Sequence, residues 1–199
     1  MALIIGLTGS IASGKSTVSL MFDDFQIPVV DADKIAREVV YPGEEAYKEI
    51  IELFGQEILR EDKTLNRNKL GEIVFTDKDK LNMLNGIVHP AIRKRMLEKR
   101  DAFVEDGASS VVLDIPLLFE SKLEHFVDKT IVVYVDEDVQ LQRLMERDGF
   151  TEKEARQRIS SQIPVKKKAE IADAVINNNG SKTESYEQLE KILRKWNVL

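Results

Sequence analysis

The stretch Gly9-Ser10-Ile11-Ala12-Ser13-Gly14-Lys15-Ser16 carries the residue types that handle phosphate. The apolar run Leu3–Leu7 precedes it and a helix-like stretch, Thr17 to Asp24, follows. Strand, glycine-bounded loop and helix start are the context of a P-loop. Gly9 and Gly14 let the backbone curl so that successive N–H groups face phosphate oxygens, and the following helix adds its unpaired first amides. Lys15 can reach the outer phosphates and the Ser16 hydroxyl can ligate Mg²⁺. The expected nucleotide-binding set is Gly9, Ala12, Ser13, Gly14, Lys15, Ser16 and Thr17, with Mg²⁺ beside the phosphates.

Three further groups could act on a phosphate held there. Asp31 and Asp33 end the second apolar run and open an amphipathic helix carrying Ile35, Ala36 and Val39. Asp33 can cap that helix or take a proton from an attacking hydroxyl, and one residue could do both. A P-loop on the neighbouring strand tips the reading toward the base. Val111-Val112-Leu113-Asp114 is an apolar strand ending in a carboxylate, as in a Walker B segment, so Asp114 is a second candidate for Mg²⁺. Arg143 and Arg147, four apart on one helical face, are candidates to clamp the transferring phosphoryl group. The alternative for them is a solvated face shared with Glu146 and Asp148. His89-Pro90 reads as a helix start, with Pro in the first turn. His89 and Arg93 are candidate substrate contacts. Asn177-Asn178-Asn179-Gly180 reads as a turn whose amides can meet a base.

These residues need a scaffold. Leu3–Leu7, Ile27–Val30, Val111–Ile115, Thr130–Val135 and Ala174–Ile176 are continuous apolar runs separated by helical patterns, which predicts a doubly wound, mostly parallel five-stranded α/β sheet. The chain reads as one domain over 1–199, with a helical insert at 34–108 capping the sheet's carboxyl edge and a second insert at 137–165 serving as an arginine-bearing lid. The insert's helical stretches are Ala46–Phe54, Lys80–Val88 and Pro90–Phe103. At 199 residues, 43% hydrophobic and 32% charged, the chain can bury a substantial core. A net charge of −6 argues against generic nucleic-acid binding. No apolar run reaches the roughly 20 residues of a membrane span. The absence of cysteine and of a signal peptide suits a cytoplasmic protein, expected as a monomer or weak homo-oligomer.

Taken in order, several segments resemble the dephospho-coenzyme A kinases. They are Gly6-Leu7-Thr8-Gly9, Gly14-Lys15-Ser16-Thr17, Asp31-Ala32-Asp33 with Ala36-Arg37, Leu65-Asn66-Arg67 with Leu70-Gly71, and His89-Pro90. Pro116-Leu117-Leu118-Phe119-Glu120, Gln142-Arg143-Leu144 with Arg147, Arg158-Ile159 with Gln162, and Ala172-Asp173 through Asn177 to Gly180 complete the set. The resemblance implies a P-loop kinase fold and ATP-dependent phosphorylation of the ribose 3′-hydroxyl of dephospho-coenzyme A. It implies Asp33 as base, Arg143 and Arg147 as lid residues, and Asn177 and Gly180 near the adenine. It places Leu117 with Asp33, His89 and Arg93 on the substrate. Ser10-Ile11-Ala12 stands where the family often has more glycine, and Asn66 where Asp is common. A nucleoside monophosphate kinase would share the loop and lid, but a phosphate acceptor needs no base. A guanine-nucleotide switch would need an Asn-Lys-x-Asp segment, and Asn68-Lys69-Leu70-Gly71 lacks the Asp.

Overall fold

The five apolar runs form one sheet in the computed structural model, which describes residues 2–199. Its strands are β1 (Leu3–Gly9), β2 (Val29–Asp31), β3 (Ser110–Asp114), β4 (Lys129–Tyr134) and β5 (Ala174–Asn177). They stand in the order β2-β3-β1-β4-β5, and β1 runs parallel to β3 and β4, as β4 does to β5. β2 was expected beside β1, yet β3 lies between them. The burial explains this. All five β3 residues are buried, as an internal strand requires, whereas β2 has three residues of which one is buried. Short strands belong at edges.

The helices, in chain order, are α1 (Lys15–Met21), α2 (Ala32–Glu38), α3 (Glu45–Phe54), α4 (Arg67–Phe75), α5 (Lys78–Glu105), α6 (Glu137–Asp148), α7 (Glu152–Ser160), α8 (Val165–Ile171) and α9 (Lys182–Lys195). The chain divides into two compact units, Met1–Val30 with Arg100–Leu199, and Asp31–Lys99.

In the first unit, successive strand side chains point to opposite faces. Ile131 and Val133 join Ile5, Leu7, Val112 and Ile176 under α1 and α9, where Val18, Met21, Leu189 and Leu193 are buried. Val132 points the other way, to Phe119 and to Val165 of α8. The α6–α7 pair has its own small core of Leu141, Leu144 and Ala155. Gly149, at φ 68°, ends α6 in the left-handed conformation, and Thr151 with Glu154 forms a reciprocal capping box that starts α7. The chain leaves β1 toward β2 and leaves β4 toward β5, in opposite directions. Ligands of open α/β sheets bind in the crevice at such carboxyl ends.

The second unit packs Tyr47, Ile50, Phe54, Ile58, Leu65, Leu70 and Val74 into a separate core. Its long helix departs from expectation. Pro90 does not start a helix but lies inside α5. A mid-helix proline removes one backbone hydrogen bond and crowds the carbonyl four residues back, at a cost of about 3 kcal/mol. That position is Gly86, which has open space around it. Leu81, Leu84, Ile87 and Val88 pack against the unit's core, and Met96 is buried beyond the proline. Packing on both sides outweighs the local break.

Candidate active site

β1 delivers the phosphate loop to the crevice. Leu7 of β1 pairs with Asp114, the last residue of β3. The loop then turns through Ala12, a non-glycine residue at φ 59°, and Gly14, at φ 86°. The left-handed region costs an L residue about 1–2 kcal/mol, so surrounding contacts must hold Ala12 in place. The Ser13 amide donates to Ser10 O at 3.0 Å and closes the turn. Gly14 has no room for a side chain, because a Cβ there would collide with the Asn178 amide.

Lys15 opens α1, and its ammonium meets the Asp114 carboxylate at 2.5 Å. Asp114 is 3% exposed. The Walker B candidate and the P-loop lysine therefore share one site at the ends of adjacent strands. Ser16 is exposed on the first turn of α1. The hydroxyls of Ser10 and Ser13 are buried, and neither has a hydrogen-bond partner among the described residues.

The two arginines on α6 part company. Arg143 donates to Asn178 O at 3.0 Å, which brings its guanidinium beside Gly14. Arg147 is turned onto its neighbour Asp148 by two bonds of 2.8 Å. That pair holds the Asp148 carboxyl below its usual range. Half of the sequence alternative therefore describes Arg147, on a solvated charged face, while Arg143 is at the loop. Asn177, the last residue of β5, is exposed and bonds Gln188 and Asn179, and in the turn that follows Gly180 lies against Glu184. Asn178, between them, is the residue joined to the loop.

Sequence reasoning missed Asn178, Lys168, Gln140 and Gln162 as contacts of the loop. Asn178 is 7% exposed, and its side chain donates to Ser13 O at 2.8 Å and accepts from the Ser185 hydroxyl at 2.8 Å. Lys168 is fully buried on α8, where its ammonium reaches Gly9 O at 3.2 Å and Glu120 Oε1 at 2.7 Å. Gln140 and Gln162 hold Ile11, Gln140 donating to its carbonyl at 2.8 Å and Gln162 accepting from its amide at 2.9 Å. The signal for Lys168 was a lysine on the apolar stripe of a short helix, next to Val165 and Ala169. Replacing Asn178 with Ala strands Ser13 O in a buried setting. The expected cost is about 1–3 kcal/mol of stability, with weaker nucleotide binding. A urea melt and a nucleotide titration test this, and two unmoved midpoints would make the clamp incidental.

In the second unit, the Asp31 side chain accepts from the Lys34 amide at 3.0 Å and is the N-cap of α2. Asp33 lies in the first turn, exposed, with no side-chain hydrogen bond or ion pair among the described residues. The capping role considered for Asp33 thus falls to Asp31. His89 is exposed and Arg93 half-buried on α5. Leu117, in the first unit, is 41% exposed in the turn after β3, while its neighbours Leu118 and Phe119 are buried.

The dephospho-CoA kinase family model matches residues 3–184. The dephospho-CoA kinase of Oceanobacillus iheyensis is 59% identical over 198 residues, covering 100% of both chains. That of Geobacillus kaustophilus is 56% identical over 199 residues, covering 100% of this chain and 99% of the relative. Among solved structures, dephospho-CoA kinase from Campylobacter jejuni superposes with a TM-score of 0.75 at 30% identity, covering 98% of each chain. Shikimate kinase from Aquifex aeolicus has a TM-score of 0.53 at 17% identity over 99% of each chain, which shows a shared fold. With a family match over residues 3–184 and relatives above 50% identity along its whole length, the chain belongs to the dephospho-CoA kinase family.

Proposed function

We propose that this chain transfers the γ-phosphoryl group of ATP to the ribose 3′-hydroxyl of dephospho-coenzyme A, the last step of coenzyme A synthesis. The observation that carries the reading is the phosphate loop whose Lys15 meets Asp114 at adjacent strand ends, in a chain matching the family along nearly all its length. Phosphoryl transfer asks the protein for in-line positioning and for positive charge around the equatorial oxygens. The amides that follow Ala12, with Lys15, hold the polyphosphate. The buried Ser10 and Ser13 hydroxyls support this, since a phosphate oxygen or ordered water would satisfy them. Asp33 takes the proton of the ribose hydroxyl as its oxygen bonds the γ-phosphorus, and the bond to the β-phosphate bridging oxygen breaks to release ADP.

Mg²⁺ takes few protein ligands, all oxygen, with substrate phosphates and water filling the rest. The Ser16 hydroxyl and the Asp114 carboxylate fit that donor set and would hold it. When bound, the ion would supply charge neutralisation for the phosphates. The unit Asp31–Lys99 is assigned the acceptor, with His89 and Arg93 as its contacts, and Leu117 is assigned to the acceptor from the turn after β3. The α6–α7 pair, 137–165, is the lid. Asn177 and Gly180 lie toward the adenine in this reading. The enzyme works in the cytoplasm as a monomer or weak homo-oligomer.

Arg143 is the arginine already at the loop, so Arg143→Ala is expected to lower kcat by about 10²–10³-fold, the effect of losing one donor to developing charge. Arg147→Ala is expected to cost less, since an exposed ion pair such as Arg147–Asp148 is worth about 0–1 kcal/mol and only loosely restrains the side chain. Equal losses in steady-state kinetics would restore both as clamps of one kind. The test of the function is incubation with Mg-ATP and dephospho-coenzyme A, with AMP, CMP and adenosine as parallel acceptors, read by product mass. Phosphate added at the 3′ position of dephospho-coenzyme A alone is expected. Transfer to a nucleotide phosphate instead would overturn the acceptor.

A further inference from the structure

Both peptide groups of one loop residue, Ile11, are held by side chains from opposite ends of the α6–α7 pair. Gln140, 2% exposed in the first turn of α6, donates its Nε2 to the Ile11 carbonyl. Gln162, two residues past the end of α7, accepts the Ile11 amide on Oε1. The next residue along, Ile163, donates its amide to Glu120 Oε1 at 3.1 Å. Glu120 pairs with Lys168, which bonds the carbonyl of Gly9. The exit of the helical pair is thus strapped to the phosphate loop at Ile11 directly and at Gly9 through two side chains.

Ile11 and the left-handed Ala12 also pack against Leu141, Leu144 and Ala155. Backbone turns of this kind are strained and persist only where surroundings over-determine them. A cavity of about 450 Å³ opens beside the straps, with Gln140, Ile159 and Gln162 in its wall. The cavity separates part of the α6–α7 pair from the start of α8, and the Ile11 peptide is tied to both ends of that pair.

We propose that Gln162 is a positioning residue that couples the exit of the lid to the phosphate loop, so that lid position sets the loop geometry that receives ATP. The inference rests on the kinase reading given above. Only Oε1 of Gln162 serves the strap, so an acceptor oxygen at the same reach should suffice. Gln162→Glu keeps that oxygen and Gln162→Ala removes it.

Gln162→Ala is expected to raise the KM for ATP by about 3–10-fold, the scale of one lost hydrogen bond, and to raise ATP hydrolysis relative to acceptor phosphorylation. Gln162→Glu is expected to stay within about 2-fold of the unmutated enzyme on both measures. A purely structural strap would lower the Tm of Gln162→Ala and leave KM and the hydrolysis ratio unchanged, which would overturn the proposal. So would a Glu variant as impaired as Ala. Limited trypsin digestion without nucleotide separates this from the kinase reading. Gln162→Ala should speed cleavage at the exposed Lys153, Arg156 and Arg158 of α7. Unchanged cleavage would sink the strap, whereas no phosphoryl transfer by the unmutated chain would sink the kinase reading instead.

Discussion

Asp33→Asn is expected to lower kcat by about 10²–10⁴-fold, the range of a lost general base, while ATP binding stays near that of the unmutated protein. The reason lies in a division of labour between two carboxylates two residues apart. Asp31 accepts the Lys34 amide and starts α2. Asp33 is exposed and has no side-chain partner among the described residues, so its charge is free for a ligand. Asparagine keeps the size of the side chain and loses the basic oxygen. Asp31→Asn is the control. Asn caps helices about as well as Asp, so that variant should retain stability and turnover. Asp31→Ala should lose about 1 kcal/mol of stability through the cap. The measurements are single-turnover phosphorylation of dephospho-coenzyme A, nucleotide titration and a thermal melt on each variant. Normal turnover by Asp33→Asn would remove the base and leave orientation of the hydroxyl to other groups. A fall of similar size in Asp31→Asn would show that what matters is the shape of the segment.

What the sequence revealed, and what it hid, follow from the range of the interactions. The strands were legible because each is a local apolar run: Val111–Ile115 was read and Ser110–Asp114 is found. The P-loop was legible because glycine, lysine and serine must stand at fixed spacing for one turn of backbone. The pairing order was not, because nothing within Ile27–Val30 says that its partner is β3 and not β1. Nor was the continuity of α5 through Pro90, since local propensity opposes it and packing decides. At the site, Asn178 was passed over in a run of three asparagines that differ only in which one is buried. Arg143 and Arg147 look alike in sequence; Asp148 already stands next to Arg147 in the chain, but only the third dimension puts Asn178 beside Arg143.

Lys168 shows the same blindness with a larger energetic consequence. Lys168→Met is expected to destabilise the chain by about 3–5 kcal/mol, the cost of removing one partner from a buried ion pair. The ammonium is fully buried and bonds Glu120 Oε1 and the Gly9 carbonyl. Glu120 Oε2 is buried without a hydrogen-bond partner, so the carboxylate depends on Lys168 for its compensating charge. Methionine fills most of the lysine volume, which confines the loss to electrostatics and one hydrogen bond. A deficit of that size is a large part of a typical domain stability of about 5–15 kcal/mol, and the single variant could fail to fold. The double variant Lys168→Met, Glu120→Met keeps the test decisive. Removing both charges is often neutral or better, so the part of the lost stability that comes from the uncompensated charge should return in urea denaturation. The Ile163 amide and the Gly9 carbonyl remain without these partners in the double variant, which leaves a residual cost of about 1–3 kcal/mol for the buried carbonyl and less for the half-buried amide. Partial recovery of stability without recovery of the KM for ATP is the expected pattern, because the charge penalty is gone while the support under the loop is not. A single variant less than about 1 kcal/mol weaker than the unmutated chain would put the pair in the class of surface bridges and deny it any part in holding the phosphate loop.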